Sequence, residues 1–383
     1  MRLRLPAFVG AWLHRKEETR RLLHKKMITG ICGLLAFFTA STLLPLLYVA
    51  VGCPDIDVTA AASQTSTPQD PRILLRAEES TYLTLPEWYI VYSAEDFADT
   101  AGHGYPEHFP YLGAIGQYWC TYGNAYALTR DRYPFNVGYH AAMLTIGTGF
   151  TWENLLKGTY ENTVGRVSGL VSGHDSDEDA FIAGVARDYA AFIHATPFYQ
   201  FPYGEKIVDI WMETDLIGTD AIRGLERKIG FTTEYAGKAV YAAVIRVLTG
   251  AAYAPDDARI GLIVESDPSV LADPRIETVG TRDDGTTVIT VPRYEPFTEI
   301  ALELARRNVR ILSAAGNDEI VLTAIAPAGW TGPVDGGRLL FSQPVLIDET
   351  KQRIAVHVPL YTLPEAVKAL ELADIRIVHL YDY

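Results

Sequence analysis

Apolar and polar positions divide the chain into four stretches of different pattern. Residues 27–54 (MITGICGLLAFFTASTLLPLLYVAVGCP) run without a charge. About 20 apolar residues suffice to cross a bilayer core as a helix, so 27–54 is expected to be a single transmembrane anchor. Residues 56–71 (IDVTAAASQTSTPQDP) are small, polar and proline-containing. They cannot bury enough surface to offset ordering entropy, and 55–83 is read as a linker.

From 84 to 252 the period is helical. Thr84-Leu85-Pro86-Glu87 has the form of a capping box, followed by Trp88, Val91, Tyr92 and Glu95 at helical spacing. Ser176-Asp177-Glu178-Asp179 is a second helix start, with acidic residues at the positive end of the dipole. Phe181, Val185, Tyr189 and Phe192 then recur as on a buried face; His194 closes this helix and Pro197 prevents its continuation. Residues 233–249 also read as a helix. Residues 109–129 carry no charge, and neither do 133–152 apart from His140. Gly113, Gly116, Gln117, Gly123 and Asn124 make the first a poor membrane span. Bundle helices are the expectation there, with a second membrane contact as the alternative.

From 258 onward the period shortens to two. Runs at 259–265, 286–292, 319–326, 338–347 and 353–359 are β-rich and bounded by Gly, Asp and Pro. Two stretches are alike: VITVPRYEPFTEIALELARRNVRIL from Val288, and IAVHVPLYTLPEAVKALELADIRIV from Ile354. Each reads as strand, amphipathic helix (295–307 and 362–373), strand. The expected fold class is α+β: a transmembrane helix, a helical Tyr-rich domain (84–252), then a ferredoxin-like α/β sandwich (258–383). In that sandwich the duplicated strand-helix-strand units share one sheet with both helices on one face. Two copies are too few for a solenoid.

Charge adds a direction. The first 26 residues hold eight Lys and Arg against Glu17 and Glu18, while the whole chain is at −14. Basic residues beside a span stay on the cytoplasmic side. The arm 1–26 is therefore expected in the cytoplasm, and the remainder in the periplasm of an inner-membrane protein. An acidic ectodomain repels nucleic acid, so no nucleic-acid partner is expected. Cys53 and Cys120 would face an oxidising space and could pair. The alternative for Cys53 is lipidation, because Val49-Ala50-Val51-Gly52-Cys53 resembles the small-residue box before a bacterial lipoprotein cysteine.

Candidate chemistry is sparse. His140, Glu153, Glu161 and His194 are the acid–base or metal candidates nearest the aromatic-rich region. Glu153, Lys157 and Glu161 share a helix face, the spacing of a solvated ion-pair ladder. No Glu-x-x-His, His-Glu-x-x-His, Gly-x-Ser-x-Gly, Walker motif or G-x-G-x-x-G occurs, so no metal and no cofactor is expected. Most of the 22 tyrosines lie between Tyr82 and Tyr253. With Trp88, Tyr92, Trp119 and Trp152 they form either a core or a binding platform. The leading expectation is a non-catalytic binding or envelope-assembly component with a protein partner or self-association. The alternatives are an envelope hydrolase using the His/Glu set, and a small-molecule sensor with a pocket between the duplicated halves.

Overall fold

The computed structural model describes residues 69–215, 220–249, 258–265 and 272–383, with scattered positions between 25 and 56. The chain divides into two units, Met1–Cys53 and Pro54–Tyr383. In the first, residues 43–52 are helical, with Leu43, Leu44, Leu47 and Val51 exposed. Part of the expected anchor, including 30–38, lies outside the described residues, as does the linker over 57–68. Among the described residues, no helix is long and apolar enough to cross a membrane.

The second unit is α+β, and its helical and sheet portions form one compact body. The helices are α1 (Leu85–Gly102), α2 (Tyr111–Thr129), α3 (Val137–Tyr160), α4 (Arg166–Ser172), α5 (Asp177–Ile193), α6 (Tyr203–Glu213) and α7 (Ala221–Thr249). The expected cap at Thr84 does not form. A helical turn, Ser80–Leu83, runs directly into α1, so the Thr84 hydroxyl donates back to the Ser80 carbonyl instead. At α5 the expected start is observed, and Ser176 Oγ caps it by accepting from the Asp179 N–H. Asn136 caps α3 in the same way, accepting from Tyr139.

Helices α2 and α3 approach closely because α3 carries glycine where α2 carries tyrosine. A Cβ on Gly147 would lie 2.3 Å from the Tyr118 ring, and one on Gly158 would lie 2.7 Å from Tyr111. Between α3 and α4 the helix passes through a π turn, Glu161–Gly165. Helix α7 has inverted polarity. Arg223, Arg227 and Lys228 are buried, while Ile222, Leu225, Ile229, Val240 and Val244 are exposed.

The sheet portion is a duplication, and a longer one than its sequence likeness. Strands β1 (Arg259–Val264), β2 (Glu277–Thr281) and β3 (Thr287–Pro292) lead through α8 (Glu295–Arg306) to β4 (Ile311–Ala314). Strands β5 (Glu319–Pro327), β6 (Arg338–Val345) and β7 (Asp348–Pro359) lead through α9 (Leu363–Leu372) to β8 (Arg376–Tyr381). The first sheet has order β2-β3-β1-β4 and the second β6-β7-β5-β8, all pairs antiparallel. Each βββαβ copy thus builds its own four-stranded sheet, and the strand-helix-strand unit straddles the copy's first strand. The single shared sheet expected from the sequence is replaced by two. The reason is that the strand before each repeat (β1, β5) inserts between the strands flanking its helix.

One apolar core joins the copies. Ile260, Leu262 and Ile289 of the first sheet meet Ile320, Leu322 and Val356 of the second, with Phe297 and Ile300 of α8 and Val367 and Leu370 of α9 between them. Burying each such side chain is worth about 1.5–3 kcal/mol. This core uses one face of β5, β7 and β8. The opposite face covers the helical portion, where Val321, Ala355 and Tyr381 pack on Tyr82, Leu85, Trp88, Tyr92 and Leu128.

Candidate functional site at the seam of helices and sheet

Strand alternation puts polar side chains on the helix-facing side of the second sheet, because residues i and i+2 share a face. Glu319, Val321 and Thr323 of β5 lie beside His357 and Ala355 of β7, and beside Tyr381 and His379 of β8. Several of the polar ones find partners on the helices. The Tyr92 hydroxyl lies 2.6 Å from Thr323 Oγ1 and 3.1 Å from the Tyr381 hydroxyl. Asp96 faces Arg353 at 3.8 Å, and burial lifts its carboxyl to about 6 despite that arginine. Thr121 donates to Gln343. Buried polar groups need such partners, so the seam specifies one register of helices on sheet.

At one end of the seam His194, the residue closing α5, is held between two carboxylates. Its Nε2 lies 2.8 Å from Glu95 of α1 and its Nδ1 lies 3.5 Å from Glu295 of α8. Hydrogen bonds to Glu295 and Glu95 raise the imidazole to about 9, so it is a cation at neutral pH. Its neighbour behaves oppositely. His379 is fully buried and stacks on Trp88 with ring centroids 3.4 Å apart. Burial, with the charge of His194, holds it well below its usual value. The Thr298 hydroxyl accepts from the Leu380 N–H and lies 3.0 Å from His379 Nδ1. Glu95 borders a groove of about 420 Å³ with Asp99, His103 and Arg187. Glu295 borders a cleft of about 400 Å³ with Thr298, Arg275 and Glu299.

At the other end Glu319 gathers three partners on one oxygen. Its Oε2 lies 2.9 Å from His357 Nε2, 3.2 Å from the Tyr82 hydroxyl and 3.3 Å from Arg132 Nη2. Against the upward push of burial, His357 and Arg132 hold this carboxyl below its usual range. Glu78 and Asp318 stand beside it: one oxygen of each of the three carboxylates lies within 4.8 Å of the others. The chain is stitched there by the Arg76 N–H to the Ala315 carbonyl and by Asn317 Nδ2 to the Arg76 carbonyl. Burial and the Glu319 charge raise the Glu78 carboxyl.

A third cluster lies inside the helical portion, at the π turn. Arg227 donates to Glu161 at 2.8 Å and lies 2.8 Å from Asp179, while Arg223 contacts Asp179 at 2.9 Å. Lys228 lies 3.3 Å from Glu178. Ser168 and Tyr160 both donate to Glu226. Burial raises the Glu161 carboxyl, and the Arg227 charge opposes the rise. A π turn recurs at functional positions in proteins, but here every one of these charges is closed in pairs, an arrangement that orders helices.

The residues named from sequence are dispersed by the fold. His140 is buried, 3.1 Å from the Tyr122 hydroxyl and stacked on Phe135. Glu153 pairs with Lys238 at 2.8 Å. Lys157 pairs with Glu234 of α7 at 3.0 Å, so the row Glu153, Lys157 and Glu161 is not a ladder along α3. Its members reach across to another helix. There Lys157 and Lys238 hold Glu234 down at about 2, against burial. Glu161 and His194 belong to the π-turn cluster and the seam. No two of His140, Glu153, Glu161 and His194 share a partner. Trp88 and Tyr92 are buried in the seam, Trp119 is buried with its Nε1 donating to Thr151, and Trp152 is half-buried. Cys53 and Cys120 are both disulfide-bonded.

Glu319, His357, Arg353 and His379 were not singled out from sequence. Their signal was present: polar residues at alternate positions of otherwise apolar strands. What hid them was that the face they share is a property of the sheet. Neither a protein-family model, nor a curated protein, nor a solved structure matches the chain.

Proposed function

We propose that this chain is a membrane-tethered, extracytoplasmic assembly component that acts by pairing with a second copy of itself through α7. The duplicated βββαβ portion, ferredoxin-like in its split crossover, is read as the rigid scaffold for the helices. The reading rests on one observation, the inverted polarity of α7. Its charged face is turned inward and paired, and its outward stripe is Ile222, Leu225, Ile229, Thr233, Ala236, Val240 and Val244, all exposed. The spacing along it is 3-4-4-3-4-4, an eleven-residue period that keeps the stripe nearly straight on an α-helix. The 22 residue steps from Ile222 to Val244 span about 33 Å.

The stripe is also self-complementary. Bulky residues lie at its ends and small ones, Thr233, Ala236 and Gly237, in its middle. An antiparallel pair crossing near Thr233 sets Ile222 against Val244 and Leu225 against Val240. The small residues then admit close approach, and the contact is a two-fold one that closes. The extracytoplasmic placement is supported by the basic arm before 27–54 and by the disulfide-bonded state of Cys53 and Cys120.

The test is the mass of the detergent-solubilised full chain by light scattering, corrected for detergent. The expectation is twice 42.3 kDa for the wild type and a monomer for Ala236→Glu. Oxidised Thr233→Cys should run as a covalent dimer. A monomeric wild type with no Thr233→Cys cross-link would refute the proposal.

A further inference from the structure

We propose that the outer face of α3 and α4 lies flat on the bilayer, against the acyl chains of membrane lipid. Helix α3, the π turn and α4 form one unbroken rod, because Glu161, Gly165 and Arg166 all keep right-handed helical backbone. Along it a stripe at every third or fourth residue, from Val137 to Leu170, stays exposed or half-buried and carries no charge. Val137, Leu156, Val167 and Leu170 are each more than half exposed. The rod's charged side chains turn elsewhere. Glu153, Lys157 and Glu161 reach across to Lys238, Glu234 and Arg227 of α7. A helix in water keeps its charges outward and its apolar face inward; this one does the reverse.

A second observation says what covers the face. Its exposed polar members are threonines, and their hydroxyls are already used. Thr145, Thr148, Thr159 and Thr163 each donate to the carbonyl four residues back, at 2.7–2.8 Å. In water a hydroxyl has solvent partners; in hydrocarbon it must find one on its own helix. A protein partner would exchange about one hydrogen bond per 100–200 Å² of interface, and these hydroxyls have none to offer. The stripe is suited to acyl chains instead.

Length sets the orientation. From Val137 to Leu170 the rod runs about 50 Å, more than the hydrocarbon core of about 30 Å, so it lies along the membrane rather than through it. Arg166, exposed beside Val167, can lift its guanidinium to the phosphate level while its stem stays among the chains. The inference rests on the membrane-tethered reading, which keeps this face near lipid. It concerns α3 and α4, not the α7 stripe.

The test places an environment-sensitive fluorophore on the full chain, reconstituted in vesicles of phosphatidylcholine and phosphatidylglycerol. Leu156→Cys and Val167→Cys carry the label, with Glu349→Cys on β7, also exposed, as the control. All are made in a Cys32→Ser background, which leaves the bonded Cys53 and Cys120 in place. Lipid brominated in its acyl chains should cause loss of emission at 156 and 167 and none at 349, whereas aqueous iodide should quench only 349. Iodide quenching at all three positions would overturn the proposal. So would labels at 156 and 167 shielded from both quenchers, which would mean a protein contact. Flotation with the vesicles reports the tether separately. A chain that floats with water-exposed labels overturns the lipid face alone; one that does not float overturns the tether as well.

Discussion

The His194 bridge makes a prediction with a definite sign. It joins α5 to α1 through Glu95 and to α8 through Glu295, and so clamps the helical portion onto the sheet portion. In the unfolded chain the imidazole titrates near 6.5; in the fold it is raised to about 9. A raised cation stabilises the fold fully below the lower value, and that stability is lost as pH rises through the higher one. If the pair were enclosed, the difference would correspond to about 3 kcal/mol. The carboxylates are not enclosed: Glu95 is 41% and Glu295 32% exposed. Solvent screening of such pairs reduces the expectation to about 1–2 kcal/mol. The other group facing His194, His379, stays neutral in the fold; its unfolded imidazole protonates near and below 6.5, so it adds a small opposing slope close to pH 6 that wild type and variant share. The assay is urea unfolding of the detergent-solubilised full chain at pH 6 and pH 9.5, for wild type and His194→Gln. The wild type should lose about 1–2 kcal/mol more than the variant across that interval. Parallel losses in the two proteins, or a His194 ring titrating near 6.5 by NMR, would refute the reasoning.

Further expectations concern packing and buried charge. Arg227→Ala strands Glu161 and leaves Asp179 with Arg223 alone, and should cost about 3–5 kcal/mol in thermal or urea melts. The double change Arg227→Met with Glu161→Gln should recover part of that loss, since it removes a charge from each side. Gly147→Ala pushes a methyl into the Tyr118 ring, whose hydroxyl is pinned to the Met143 carbonyl at 2.7 Å. Overpacking of about 1–3 kcal/mol should outweigh a helix-propensity gain of about 1 kcal/mol. Gly184→Ala on α5 meets nothing within 4 Å and should instead stabilise by about 0.5–1 kcal/mol. Melts in which these two glycine variants shifted in the same direction would contradict the close α2–α3 packing.

Much of the local structure was legible without coordinates. The start of α5 after Ser176, its end at His194 and the helices at 295–306 and 363–372 follow from local rules: acidic residues at a helix N-terminus, a proline that cannot continue a helix, an apolar face at helical period. The likeness of the segments from Val288 and Ile354 disclosed a duplication for the same reason, since short-range pattern survives in sequence. The start of α1 was misread because its cap is decided by the preceding turn, Ser80–Leu83, which carries little signal of its own. Strand β2 (ETVGT) escaped notice because an exposed edge strand needs no apolar alternation.

The candidate site was legible only in fragments. Glu319 and His357 lie 38 positions apart and become neighbours only when β5 and β7 pair; Arg132 and Tyr82 reach them from the helices. The four His and Glu residues drawn from sequence turned out to serve four different contacts, because closeness in sequence along a helix says nothing about which neighbouring helix receives the side chain. The sequence by itself determined the chain's local elements, its charge asymmetry and its internal repeat, since each depends on residues within a few turns of one another. The tertiary structure alone decided that the repeat makes two sheets, that α7 turns its charges inward, and that Glu78, Asp318 and Glu319 come together. Those outcomes depend on which strand inserts between which others and which face of a helix finds partners, and long-range pairing is not written in any short stretch of chain.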